Sequence, residues 1–141
     1  MRVIITGSRG QLGRQLMSRF DAHTCLGVDL PEDDITAPVI RRRIASFRPD
    51  LVIHAAALTD VDRCEQDPTL AYRVNVLGTQ NVTLGAHDAG AAVMYVSTNE
   101  VFDGSKREPY REWDLPSPIS VYAQSKAAAE RVVRDLAPRF R

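Results

Sequence analysis

Tyr122 and Lys126 stand four residues apart in a stretch with helical apolar spacing, so on a helix they share one face. That pair suits proton transfer. A tyrosine acting as an acid gives its proton to an oxygen that gains charge as hydride reaches the attached carbon. With an ordinary pKa near 10 it ionises reluctantly. A neighbouring ammonium stabilises the phenolate, and a shift of about three units requires roughly 4 kcal/mol. The same lysine is placed to hold a ribose. Ser97 and Thr98 follow the apolar run Ala92–Val96, and hydroxyls at the carboxyl end of a strand can polarise a bound oxygen. Thr98 is the preferred catalytic hydroxyl, with Ser97 read as packing.

A second constellation opens the chain. Gly7, Gly10 and Gly13 give the spacing G-x-x-G-x-x-G directly after Val3-Ile4-Ile5. In a strand–turn–helix setting, such glycines make the tight turn, let the backbone approach a pyrophosphate and allow close helix–strand packing. The helix N-terminus, running on through Gln11 and Leu12, offers unpaired N–H groups and partial positive charge. Asp29 ends the next apolar run, where a carboxylate can accept hydrogen bonds from an adenosine ribose. Asp29 repels a 2′-phosphate and argues for NAD, whereas Arg9 can pair with one and argues for NADP. The balance favours NADP(H) or both, and the choice stays open.

These residues need elements to position them. Short apolar runs alternate with helical patterns, which predicts a parallel-sheet α/β fold. Strands are expected at Val3–Ile5, Cys25–Val28, Leu51–His54 and Ala92–Val96, with a very short third strand at Asp34–Thr36. Helices are expected over Gln11–Phe20, Pro38–Phe47, Pro68–Ala89 and Val121–Leu136. Leu12, Leu16 and Phe20 form one apolar stripe. No strand is expected after the last helix, which leaves Ala92–Val96 as an open edge prone to self-association, including a homodimer.

The composition of the 141 residues narrows the functional classes. Eighteen basic and eighteen acidic side chains give zero formal charge, hence no global attraction to nucleic acid or an anionic membrane. The apolar runs are too short for a membrane helix, and the N-terminus turns too early for a signal peptide. A cytoplasmic protein with reduced Cys25 and Cys64 is expected. Asp60, Asp62 and Glu65 lack a completing His or Cys cluster and read as helix capping rather than a metal site. His54 reads as a satisfied core residue. Arg41, Arg42 and Arg43 read as a solvated face.

The stretches TGSRGQLG, HAAALTDVDRCE, AYRVNVLGTQN, STNEVFDG and YAQSK resemble the extended short-chain dehydrogenase/reductase superfamily, and within it the dTDP-4-dehydrorhamnose reductases. The resemblance implies a Rossmann-type, doubly wound, three-layer parallel sheet with strand order 3-2-1-4-5, ending before its last strands. Residues 1–141 would be the NAD(P)-binding domain, without the C-terminal substrate-binding part. It implies Gly7, Gly10 and Gly13 at the pyrophosphate, Asp29 at the adenosine ribose, and Asp34 and Ile35 flanking the adenine. Ala55, Ala56 and Ala57 would line the cofactor, Asn75 would support the site, and Thr98, Tyr122 and Lys126 would form the catalytic triad. A nucleotide-linked 4-keto sugar is the implied substrate.

The segment 97–104 departs from the reductase pattern STDYVFDG, carrying Asn99-Glu100 in place of aspartate and tyrosine. Glu100 gives it a partial likeness to the dehydratases, but Asn99 cannot donate a proton as a carboxylic acid does. Two alternatives stand beside the reductase: a nucleotide-sugar epimerase or dehydratase, and a non-catalytic NADP-binding regulatory module.

Overall fold

A computed structural model describes residues 1–140. Five parallel strands form one sheet in the order β2-β1-β3-β4-β5. They are β1 (Arg2–Thr6), β2 (Thr24–Val28), β3 (Leu51–His54), β4 (Ala92–Tyr95) and β5 (Arg139–Phe140). Val3, Ile4 and Ile5 are completely buried, as expected for a central parallel strand covered on both faces. Register brings the strand ends level: Thr6 pairs with Val28 and with His54, and His54 with Tyr95. The carboxyl ends of four strands therefore open onto one rim.

Helices cover both faces. α1 (Gln11–Arg19) supplies Leu16 and Met17, which pack with Phe20 against Val3, Ile5 and Ile53. On the other face, α2 (Val39–Phe47), α5 (Thr79–Ala89) and α6 (Val121–Leu136) surround a larger core that includes Ile4, Ile44, Val52, Val82, Val93 and Val133. Short helices α3 (Val61–Gln66) and α4 (Pro68–Tyr72) lie between β3 and α5. Asp60 caps α3 through a bond from Arg63 N–H at 3.0 Å. The α2–α5 pair is clamped by Arg41, whose guanidinium binds Asp88 through two nitrogens at 2.6 and 2.9 Å. Arg43 pairs with Asp33 at 2.6 Å. Two of the three consecutive arginines are thus ion-paired rather than simply solvated.

Four further expectations are corrected. Asp34–Thr36 is not a strand. The Asp34 carboxylate accepts the Thr36 N–H at 2.8 Å, and the Ile35 carbonyl accepts from Asn81 at 3.0 Å; local turn bonds and a helix side chain hold the segment without sheet pairing. Leu12 does not share the buried stripe, being 46% exposed at the cleft described below. The helix expected over Pro68–Ala89 carries a π-helical segment, Arg73–Gly78, between α4 and α5. Finally, a strand does follow the last helix: Arg139 and Phe140 pair with Ala92 and Val93, so the β4 edge is partly covered.

Candidate cofactor cleft and catalytic group

The turn after β1 is shaped by sterics. Gly7 has φ +68°, and a Cβ there would lie 2.8 Å from the Ala56 nitrogen; a Cβ on Gly13 would lie 1.9 Å from the Gly7 oxygen. Neither position admits a side chain without moving backbone. Gly10, which caps α1, carries no side chain to satisfy the helix N-terminus. The N–H groups of Gln11, Leu12 and Gly13 therefore lack partners within the helix, the condition that suits a helix N-terminus to an anion.

This turn forms one wall of a cleft of about 610 Å³ along the rim of the sheet. Gly7, Arg9, Gly10, Gln11, Leu12 and Gly13 all line it. Asp29, Asp34 and Ile35 line one end, and Ala55, Ala56 and Ala57 the wall after β3. The small alanine side chains leave room for a flat ligand, and the open N–H groups suit a pyrophosphate. The residues present thus fit a dinucleotide. Both Asp29 oxygens already accept main-chain N–H groups, from Arg9 at 2.7 Å and Leu30 at 2.8 Å, which fixes the carboxylate at the cleft mouth. Val28, Leu30, Asp33, Thr36, Thr59, Val74 and Val96 also line the cleft. Sequence reasoning missed these; all but Val74, which lies on the π-helical segment, share a place at strand ends or in the loops that follow.

Thr98, Tyr122 and Lys126 are absent from the cleft wall; Lys126 reaches it through Val96, and Thr98 follows Val96 by two residues. The Lys126 ammonium donates to the Val96 carbonyl at 2.7 Å and lies 4.2 Å from the centre of the Tyr95 ring. Burial lowers its pKa to about 8, opposed by nearby Glu130. The Thr98 hydroxyl lies near the Tyr122 phenol and caps the turn Asn99–Val101, accepting from Glu100 N–H at 3.3 Å. Tyr122 is buried against Cys64 and Ala71. That burial raises its pKa; the neighbouring Thr98 hydroxyl works the other way, and Glu100 adds to the rise. The expected lowering by Lys126 is not found, because the ammonium is turned to Val96. Ser97 donates to the Glu130 carboxylate.

A buried polar chain ties the two halves of the site together. Thr79 donates its hydroxyl proton to the Asn75 carbonyl at 2.5 Å, so it accepts from His54 Nε2 at 2.9 Å. His54 is then the Nε2–H tautomer, and its Nδ1 accepts from Thr6 at 2.6 Å. Asn75, on the π segment, accepts from Leu58 N–H at 2.8 Å and donates to the Leu58 carbonyl at 3.1 Å and to Ser125 at 2.9 Å. Ser125 donates to the Tyr122 carbonyl at 2.7 Å. Hydrogen bonds thus connect the strand before the glycine turn to the tyrosine helix. His54 is fully buried, and burial drives its pKa down to about 3; it is a core residue satisfied at both nitrogens.

The whole chain, residues 1–141, matches the protein family described as RmlD substrate binding domain. The chain belongs to this family. It is 41% identical to a dTDP-4-dehydrorhamnose reductase of Aggregatibacter actinomycetemcomitans, across 98% of this chain and 48% of that protein. Its structure is similar to that of a dTDP-4-dehydrorhamnose reductase from Bacillus anthracis in complex with NADP. There the TM-score is 0.94 and the identity 38%, covering 99% of this chain and 51% of the other. A Thermus thermophilus UDP-glucose 4-epimerase in complex with NAD aligns with TM-score 0.86 and 28% identity, over 96% of this chain and 50% of the other. The chain spans about half the length of the curated relatives it matches. Among the described residues, no helix is long and apolar enough to cross a membrane, and no group of three or more His, Cys, Asp or Glu could hold a metal ion.

Proposed function

We propose that this chain forms the NAD(P)-binding part of a reductase acting on a nucleotide-linked 4-keto sugar, of the dTDP-4-dehydrorhamnose reductase type. The supporting observation is the junction of two features at one rim: a glycine-lined cleft with open helix N–H groups, and Lys126 bonded to the cleft-lining Val96 one helical turn from Tyr122.

When bound, a reduced nicotinamide supplies hydride. The chain's own residues do the rest. Gln11, Leu12 and Gly13 bind the pyrophosphate through main-chain N–H groups, and Asp29 receives the adenosine ribose. Lys126 turns from Val96 to the nicotinamide ribose and brings its positive charge toward Tyr122, offsetting the cost of a buried phenolate. Thr98 orients the substrate carbonyl. Tyr122 donates its phenolic proton to the oxygen that gains charge.

In a full-length polypeptide carrying this domain, Tyr122→Phe lowers turnover of the keto sugar by about 10²–10⁴-fold, the range of a general acid, and leaves NADPH affinity within about twofold. Turnover that survives within about tenfold contradicts the role given to Tyr122.

A further inference from the structure

The loop after β2 carries four carboxylates in six residues, Asp29, Glu32, Asp33 and Asp34, at the adenosine end of the cleft. Two guanidiniums meet them. Arg43 is committed to Asp33, whose side chain is largely buried. Arg9 reaches across from the glycine turn. Its main-chain N–H holds Asp29 at 2.7 Å, its Nη1 donates to the Leu30 carbonyl at 2.5 Å, and its Nη2 pairs with Glu32 at 2.7 Å. Arg9 lines the cleft and Glu32 does not.

The Arg9 and Glu32 side chains are 58% and 62% exposed. An ion pair so open to water adds little to stability and exchanges readily. A guanidinium accepts phosphate oxygens with the same forked geometry it offers a carboxylate. Glu32 is therefore placed to compete with a phosphate for Arg9. A ligand with a ribose 2′-hydroxyl leaves the pair intact, whereas one with a 2′-phosphate displaces Glu32 or meets a neutralised arginine among the remaining acids.

We propose that Glu32 is a cofactor-selecting residue: its carboxylate occupies the Arg9 guanidinium that would otherwise bind the 2′-phosphate of NADP, and so sets the ratio of NADPH to NADH affinity. The assignment rests on the cofactor reading proposed above.

Fluorescence titration of the 141-residue chain with NADPH and NADH, in wild type, Glu32→Gln, Arg9→Gln and the double variant, tests it. Glu32→Gln raises the NADPH-to-NADH affinity ratio by about three- to tenfold, a range set by the size of exposed charge interactions. Arg9→Gln lowers the ratio. With Arg9 already replaced, Glu32→Gln changes it by less than about twofold. An unchanged ratio in Glu32→Gln, with both cofactors still bound, overturns selection by Glu32 and spares the cofactor site. An equal rise with and without Arg9 overturns the competition, leaving simple repulsion by Glu32. Binding of neither cofactor by folded wild-type chain overturns the cofactor reading and this assignment together.

Discussion

In the role proposed for it, Lys126 meets two demands that pull its titration in opposite directions. Burial makes the folded protein prefer a neutral amine, and its pKa falls from the ordinary 10.5 to about 8. Holding a ribose or stabilising a phenolate requires the ammonium. Below pH 8 the folded state carries the charge and its full desolvation cost. Between about 8 and 10.5 the unfolded chain binds the proton that the folded chain has lost, so stability rises with pH there. Cofactor affinity moves oppositely, weakening as pH climbs through about 8 and the ammonium is lost. Calorimetric titrations across this range should show that weakening in wild type and a flat profile in Lys126→Met. An identical pH dependence in the two proteins contradicts a role for Lys126 in holding the cofactor. At this scale the glycines were legible in the sequence because local sterics dictate them: nothing larger fits at Gly7 or Gly13. The Arg9–Glu32 pair was not, since a carboxylate 23 positions along the chain from its partner leaves no spacing signal.

Among the elements, the π segment Arg73–Gly78 positions the site most directly. An extra residue per turn is uncommon and recurs at functional sites; here the widened segment carries Asn75 into contact with both Leu58 and Ser125. Asn75 is almost completely buried. Asn75→Ala strands the Leu58 N–H, leaves the Leu58 carbonyl only the weak Cys64 thiol as donor and removes one bond of Ser125, and each buried unsatisfied group costs about 1–3 kcal/mol. Urea unfolding should therefore show a loss of about 2–4 kcal/mol, together with weaker cofactor binding as the tyrosine helix loosens. A change under about 0.5 kcal/mol contradicts the view that Asn75 ties these elements together. The helix itself was readable from Pro68 at its start and Gly90 at its end. Its π segment was not, because six residues of wider winding are too few to change the apolar pattern of the helix around them. The false third strand has a similar origin: Asp34 can bond its own backbone, and that turn chemistry outweighed the short β-like run around Ile35.

For the whole molecule, parallel pairing places the carboxyl ends of β1, β2, β3 and β4 on one rim, and helices pack on both faces behind it. Alternating apolar runs made the sheet legible from the sequence. The strand Arg139–Phe140 escaped because two residues after a proline carry no periodicity. The proposed function depends on one property of this assembly, that the cleft between the glycine turn and the alanine wall receives a dinucleotide. The most direct measurement is a titration of the 141-residue chain with NADPH, following nicotinamide fluorescence, with circular dichroism as the check on folding. Saturable binding of one cofactor per chain is the predicted result. A folded chain that leaves the fluorescence unchanged up to high cofactor concentration would contradict it.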